Sequence, residues 1–289
     1  MSHYVGLDVS VKSVTICVVD SNGAITSRGE VSSDPDQIAA FVLKHAPDAA
    51  RVVHESGVLS IWLTRELEKR GLPIICIDAR LAHKALSGRI NKSDRGDAEG
   101  LAHLARTGWF NQVHVRSEAS ERIRVLIGTR ERLIKMRKDL EGHVRGVLKV
   151  FGVCMSGVHR ANMRQGFRDQ LVKAGTVDPA IGVMVDMFGP IHLALCSAAD
   201  AMDAELRAIA RGSNLAVRLM TVPGVGPIVA LAFISTLDDA ARFKSQKMSA
   251  HSLASRRDAI NLVKWIGRDA SQNAEIVICG DCYTRQPLL

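Results

Sequence analysis

Alternating apolar and polar positions open the chain. Tyr4–Val9, Ser13–Val19 and Ala24–Val31 each read as a short strand. Val11-Lys12 separates the first two, and Ser21-Asn22-Gly23 the second pair, its Asn-Gly being a two-residue hairpin signal. The period then lengthens, predicting a helix at Pro35–His45, a strand at Ala50–His54, a helix at Val58–Arg70 and a strand at Ile74–Ile77. A further helix is expected over Asp94–Thr107. Three meandering strands followed by strands that alternate with helices make an α/β domain.

Between Ser117 and Gly152 the spacing becomes heptad. Leu126, Leu133, Leu140 and Val147 lie on one track; Ile123, Val144 and Phe151 lie on the other, which Arg130 and Arg137 interrupt. This predicts a long basic amphipathic helix, either packed in a hairpin with a helix around Ile191–Ala210 or joined to another copy as a coiled coil. Its cations run from Arg122 to Lys149, and Arg130, Arg132, Lys135, Arg137 and Lys138 at its middle suit a phosphate backbone or a solvated face. Farther along, Thr221-Val222-Pro223-Gly224-Val225-Gly226-Pro227 leads into the apolar run Ile228–Leu237. A Pro-Gly-x-Gly-Pro turn before a helix exposes amides around Gly224 and Gly226 that can take a phosphate oxygen, as helix-hairpin-helix turns do, or serves as a plain connection.

Composition narrows the partners. With 38 Lys+Arg against 30 Asp+Glu, the 289-residue chain carries a net charge of +8 and a pI of about 9.4, which favours polyanions. The six cysteines are scattered, as free thiols of a reducing compartment are. Only Cys279 and Cys282 have metal-like spacing, and no second pair completes a zinc site. The amino terminus lacks the layout of a signal peptide, and no apolar run approaches roughly 18 residues. The expectation is a soluble cytoplasmic protein with no membrane partner.

Four acids stand out. Asp8 ends the first strand in Val5-Gly6-Leu7-Asp8-Val9-Ser10, and Glu55 ends the fourth in Val52-Val53-His54-Glu55-Ser56-Gly57. Asp94 and Asp97, three apart at a helix start in Lys92-Ser93-Asp94-Arg95-Gly96-Asp97-Ala98, project from one helix face. Singly, each reads as a turn former or an N-terminal helix acid. Together they suit Mg²⁺ or Mn²⁺, hard ions that serve phosphodiester cleavage.

These stretches, with Val222-Pro223-Gly224-Val225-Gly226-Pro227 and Ala241-Arg242-Phe243-Lys244, resemble the DEDD transposases of insertion sequences, from about Tyr4 to about His251. The resemblance implies an RNase H-like, RuvC-like domain over 1–115, a long helical, coiled-coil region over 116–215, and the start of a helical carboxy-terminal transposase domain over 216–251. It implies a metal-dependent DNA recombinase in which Asp8, Glu55, Asp94 and Asp97 are catalytic magnesium ligands. It also implies a structured non-coding guide RNA, assembly into a dimer or tetramer, and a nucleophilic serine in the carboxy-terminal domain.

That serine is missing. The family continues with a run like Gly-Leu-Thr-Pro-Arg and then Ser-Gly, whereas this chain reads Leu253-Ala254-Ser255-Arg256-Arg257-Asp258-Ala259-Ile260-Asn261-Leu262. Codons can be chosen for Ser252 to Lys264 that, read one base out of register, give the family's tail, its serine codon straddling Asn261 and Leu262. Residues 252–289 are therefore expected to be a frame-shifted tail that packs poorly, with its Cys pair accidental. Other readings are an actin-like or sugar-kinase ATPase, which needs a second phosphate loop and a Gly-Gly motif not found here. A non-catalytic nucleic-acid-binding protein leaves the acids unexplained, and a RuvC-like junction nuclease would lack the region 222–244 suggests.

Overall fold

The computed structural model describes residues 2–86, 94–155, 163–239, 276–279 and 282–285. It divides into two compact units, Met1–Arg116 and Ser117–Leu289.

In the first unit, β1 (His3–Val9), β2 (Ser13–Val19) and β3 (Ile25–Ser32) form an antiparallel meander, and β4 (Ala49–Glu55) and β5 (Ile74–Ile77) run parallel to β1. The strand order is β3-β2-β1-β4-β5. A meander that continues into parallel strands on the other side of β1 is the arrangement of the expected RNase H-like domain. The meander's second turn differs from expectation. The carboxylate of Asp20 accepts from the Asn22 and Ala24 amides at 2.9 and 2.8 Å, so Asp20–Ala24 is a stapled loop in which Gly23 takes the left-handed φ of 88°.

Helices cover both faces. Helix α1 (Pro35–His45), capped by Asp34, and helix α2 (Ser60–Lys69) bury Ile38, Val42, Leu63 and Leu67 against Val5, Leu7, Val14, Ile16 and Val52. On the opposite face, helix α4 (Asp94–Thr107) packs Leu101, Leu104 and Ala105 with Val53 and Ile77, and Ala98 and Ala102 with Cys17 and Val19. Helix α3 (Ala79–Leu86), unforeseen in the sequence, follows β5 and contributes Ala82.

The second unit is helical apart from one hairpin among its described residues. Helix α5 (Glu118–Val150) and helix α7 (Pro179–Gly212) pack along each other, joined by α6 (Met163–Ala174), α8 (Asn214–Leu219) and α9 (Pro227–Leu237). One core gathers Leu140, Val144, Leu148, Phe167, Leu171 and Ile181. Another gathers Ile123, Leu126, Ile127, Leu206, Ala210, Leu231 and Ile234. The second core contains α5, α7, α8 and α9 together, so the regions expected as 116–215 and 216–251 share buried surface. Asp238, at a φ of 61°, ends α9, and its carboxylate accepts from the Ser117 amide at 3.0 Å and the Ser117 hydroxyl at 2.5 Å. Helix α7 is long and apolar enough, by length and composition, to cross a membrane, although charged residues interrupt the run in the sequence. Here it serves as the central helix of the bundle.

In the tail, β6 (Ile276–Cys279) and β7 (Cys282–Arg285) pair antiparallel with Cys279 opposite Cys282. The remaining tail positions, and with them the expectation of poor packing, lie outside the described residues.

Candidate metal centre and nucleic-acid face

Alternation along β1 sends Val5 and Leu7 toward α1 and α2, and Gly6 and Asp8 to the other face. On β4, Val52 joins the first core and Val53 the α4 core. The strands are parallel, with Leu7 opposite His54. Asp8 and Glu55 come one residue later on each strand, hence on the α4 face at the carboxyl ends of neighbouring strands. Both are half-buried.

Gly6 sets where α4 lies. A Cβ built at Gly6 would stand 2.2 Å from the Ala98 carbonyl oxygen and 2.3 Å from the Ala102 amide nitrogen. Only a residue without a side chain lets the helix backbone come this close. The far end of α4 is tied at the start of β4, where Arg51 donates from Nη1 to the Ala105 carbonyl at 3.0 Å. The helix thus runs antiparallel to β1 and β4. Its first turn, carrying Asp97 just before Ala98, points toward the end of the sheet where Asp8 and Glu55 sit. Asp94 begins the same helix, but its side chain lies outside the described residues. Among the described residues, no three His, Cys, Asp or Glu side chains form a group able to hold a metal ion. Three of the acids therefore share one end of one face, without a complete ligand set among the described side chains. The donor chemistry, carboxylate oxygens only, fits a hard divalent cation.

Both strand ends are fastened. After Asp8, the Ser10 hydroxyl donates to the Ser13 carbonyl at 2.8 Å and the Ser33 hydroxyl to the Ser10 carbonyl at 2.9 Å. After Glu55, the Ser56 amide donates to the Ile77 carbonyl at 2.9 Å, and the Ser60 hydroxyl to the Gly57 carbonyl at 2.8 Å. The Ser56 hydroxyl accepts from the Ala79 amide at 3.2 Å. His54 is fully buried, with Nδ1 3.1 Å from the Glu55 carbonyl oxygen and Nε2 2.8 Å from the Thr64 hydroxyl. Burial pushes its imidazole down to about 4, against a weaker upward pull from the Glu55 carbonyl. Gly6 and His54 both stand inside the sequence motifs, but only the packing reveals what they do. Their one advance signal was a place within two residues of an acid.

The basic positions of α5 separate by environment. Arg132, Lys135 and Lys138 are exposed. Arg130 is half-buried in an ion pair with Asp203 of α7. Arg137 is only 8% exposed and donates from Nη1 to Glu141 at 2.6 Å, so it does not belong with the surface cations. Glu141 also accepts from His192 of α7 at 3.0 Å, and Arg145 lies 3.6 Å from its other oxygen. Burial raises the Glu141 carboxyl, but the hydrogen bond from His192 and the charge of Arg137 outweigh it and hold the group below its ordinary value. The arginines that break the heptad are thus charges that α5 neutralises with Glu141 and α7. The hairpin expected as one of two alternatives exists. In the turn before α9, Gly224 is exposed at a φ of 85°, and Gly226 caps the helix without a side-chain acceptor.

Known proteins resemble the chain over both units. A family model described as a transposase, of the DEDD IS110 type, matches residues 5–152. One described as transposase IS116/IS110/IS902 family matches residues 216–254. The transposase for insertion sequence element IS1111A of Coxiella burnetii is 24% identical over 254 residues, covering 85% of this chain and 66% of that protein. A probable family 20 transposase of Pseudomonas aeruginosa is 24% identical over 247 residues, covering 85% of this chain and 71% of its own length. The chain thus spans about two thirds of the length of these relatives. A solved structure of T. thermophilus RuvC in complex with a Holliday junction substrate aligns to 39% of this chain and all of its own, at 16% identity and a TM-score of 0.31. With its first-unit motifs and its Pro-Gly turn both inside matched regions, the chain belongs to the IS110-type family of DEDD transposases.

Proposed function

We propose that the chain is an insertion-sequence transposase that binds DNA in the cytoplasm and cleaves it with a divalent cation, Mg²⁺ or Mn²⁺. Asp8, Glu55, Asp94 and Asp97 would hold the ion. The observation that carries this reading is the shared address of the acids. Asp8, next to last in β1, and Glu55, last in β4, stand on one face at the carboxyl ends of adjacent parallel strands, and the helix bearing the other two crosses that face with its first turn at the same end. When bound, such an ion stabilises the attacking and leaving oxygens of a phosphodiester. The protein's own part is to hold the carboxylates: Gly6 seats α4, and the bonds after Asp8 and Glu55 stop the strand ends from fraying.

Nucleic acid, both the DNA and the guide RNA that the family implies, would meet Arg132, Lys135 and Lys138 and the amides around Gly224 and Gly226. Assembly into a dimer or tetramer accompanies that role. The match to the carboxy-terminal family model stops at residue 254, where the expected serine context is replaced by Ser255-Arg256-Arg257. We read this copy as able to bind metal and nucleic acid but unable to complete strand transfer, because no activated hydroxyl is supplied to attack phosphorus.

Calorimetric titration with Mn²⁺ tests the first part. Saturable binding is expected, with loss in both Asp8→Asn and Asp97→Asn. Unchanged affinity in the two variants contradicts the site. A gene with the frame restored near His251 tests the second, through strand exchange on its element's DNA with the non-coding RNA. No gain over the present chain contradicts the frame-shift.

A further inference from the structure

His54 is a fully buried polar ring on the side of the sheet whose core includes Leu7, Val52, Leu63 and Leu67, and a buried polar group left unpaired costs stability. Both of its nitrogens are engaged. A carbonyl oxygen cannot donate, so the 3.1 Å contact between Nδ1 and the Glu55 carbonyl requires the proton on Nδ1. A neutral ring then accepts at Nε2 from the Thr64 hydroxyl, 2.8 Å away. The hydroxyl carries a single proton, which it shares between Nε2 and the Ser60 carbonyl, 2.7 Å away one turn back in α2.

The chain of contacts therefore starts on α2, passes through the sheet's interior at His54, and ends on the backbone of Glu55. Glu55 is the last residue of β4. It is paired with Ile77 of β5, and Ser56 after it is bonded to Ile77 and Ala79, so the ring adds a hold on the Glu55 carbonyl from the α2 side. Its side chain emerges on the opposite face from His54, beside Asp8. Anchoring its carbonyl thus aims the carboxylate without occupying the space in front of it.

We propose that His54 is a positioning residue for the metal centre: its Nδ1–H, oriented by the Thr64 hydroxyl, fixes the Glu55 backbone so that the carboxylate stands ready beside Asp8. The proposal rests on the reading of Glu55 as a metal ligand. Groups that orient metal ligands from behind change affinity by about 10–100-fold when removed.

Two amide substitutions separate the two ends of the ring. In His54→Asn the amide nitrogen falls near the Nδ1 position and keeps the bond to the Glu55 carbonyl. In His54→Gln it falls near Nε2, keeping a Thr64 contact and losing Glu55. Both replace one buried polar side chain by another, so a merely structural role for His54 moves both variants together. Mn²⁺ affinity is read by calorimetry on the full chain, with thermal unfolding in parallel. The expected result is an affinity loss of about tenfold or more in His54→Gln, against less than about threefold in His54→Asn. Thr64→Val, which frees the ring, should follow His54→Gln, and Thr64→Ser should restore the wild-type value. This second pair reads the same bond if Gln is not tolerated at position 54. Equal affinities in the Asn and Gln variants, or an unaltered affinity in Thr64→Val, overturn the proposal. Asp8→Asn is the control: retained Mn²⁺ binding there defeats the metal-site reading itself, whatever the His54 variants do.

Discussion

Position 6 shows how one absent atom sets the seat of α4 on the sheet. The carbonyl of Ala98 and the amide of Ala102 occupy the space that any side chain at Gly6 would need, and both are backbone atoms that cannot rotate away. Gly6→Ala must therefore lift α4 from β1. Overpacking of this kind costs about 1–3 kcal/mol, and here the displaced helix is the one that carries Asp94 and Asp97. Urea unfolding should show lower stability, and calorimetry should show weakened Mn²⁺ binding in molecules that remain folded. An alanine variant with wild-type affinity contradicts the role assigned to the close approach. His54 offers a second residue-scale test, through pH. Its folded value of about 4 lies below the ordinary 6.5, so between those values the unfolded chain binds a proton that the folded chain refuses. Stability is fully present above about 6.5, falls as the pH drops, and stops falling near 4. The 2.5-unit interval corresponds to on the order of 3 kcal/mol. Denaturation midpoints at pH 7 and pH 4 span most of it, and His54→Asn should flatten that part of the slope.

At the scale of elements, the strands and helices of the first unit were legible where alternation was clean. Pro35–His45, Ile74–Ile77 and Asp94–Thr107 have the bounds the sequence implied. Helices α3, α6 and α8 carry no pattern that marks them in the sequence, and α7 is legible only from Ile191. Pro190 looks like a helix start, since proline suits the first turn, yet it sits inside a helix that begins at Pro179. The surface of α5 is only partly legible in the sequence for another reason. A sequence displays charge but not the partner of a charge. Arg130 finds Asp203 on α7, and Arg137 finds Glu141 one turn along its own helix. This distinction yields a prediction about the proposed nucleic-acid face. Reversing Arg132, Lys135 and Lys138 to Glu should leave the melting temperature nearly unchanged. It should weaken nucleic-acid binding and lower the slope of log affinity against log salt by about one for each lost phosphate contact. Arg137→Gln should do the reverse. It leaves Glu141 buried without its main cation, a loss on the order of 3–5 kcal/mol for a broken buried pair, and leaves the salt slope as it was. Salt-titrated fluorescence anisotropy and thermal unfolding, run on both variants, separate the two roles.

On the scale of the whole molecule, each unit has cores built from its own residues. Clusters around Leu7, around Leu101 and around Ala98 belong to residues 1–116, and those around Phe167 and Leu231 to the second unit. Units that bury separate cores can unfold separately. The proposed ligands, Asp8, Glu55, Asp94 and Asp97, all belong to the first unit. A ligand that binds only the native form of one unit stabilises that unit by mass action, by about 2.7 kcal/mol at a hundred times its Kd. Scanning calorimetry of the intact chain should therefore resolve two transitions, and Mn²⁺ should raise one while leaving the other in place. Glu141→Gln, which strips a carboxylate from the α5–α7 pairing, should lower the transition that the metal does not move. Asp8→Asn should abolish the metal-induced rise. A single transition that both the ion and the Glu141 substitution shift equally would mean that the two units fold as one cooperative body. The metal would then be read out through the entire chain rather than through the unit that carries the proposed ligands.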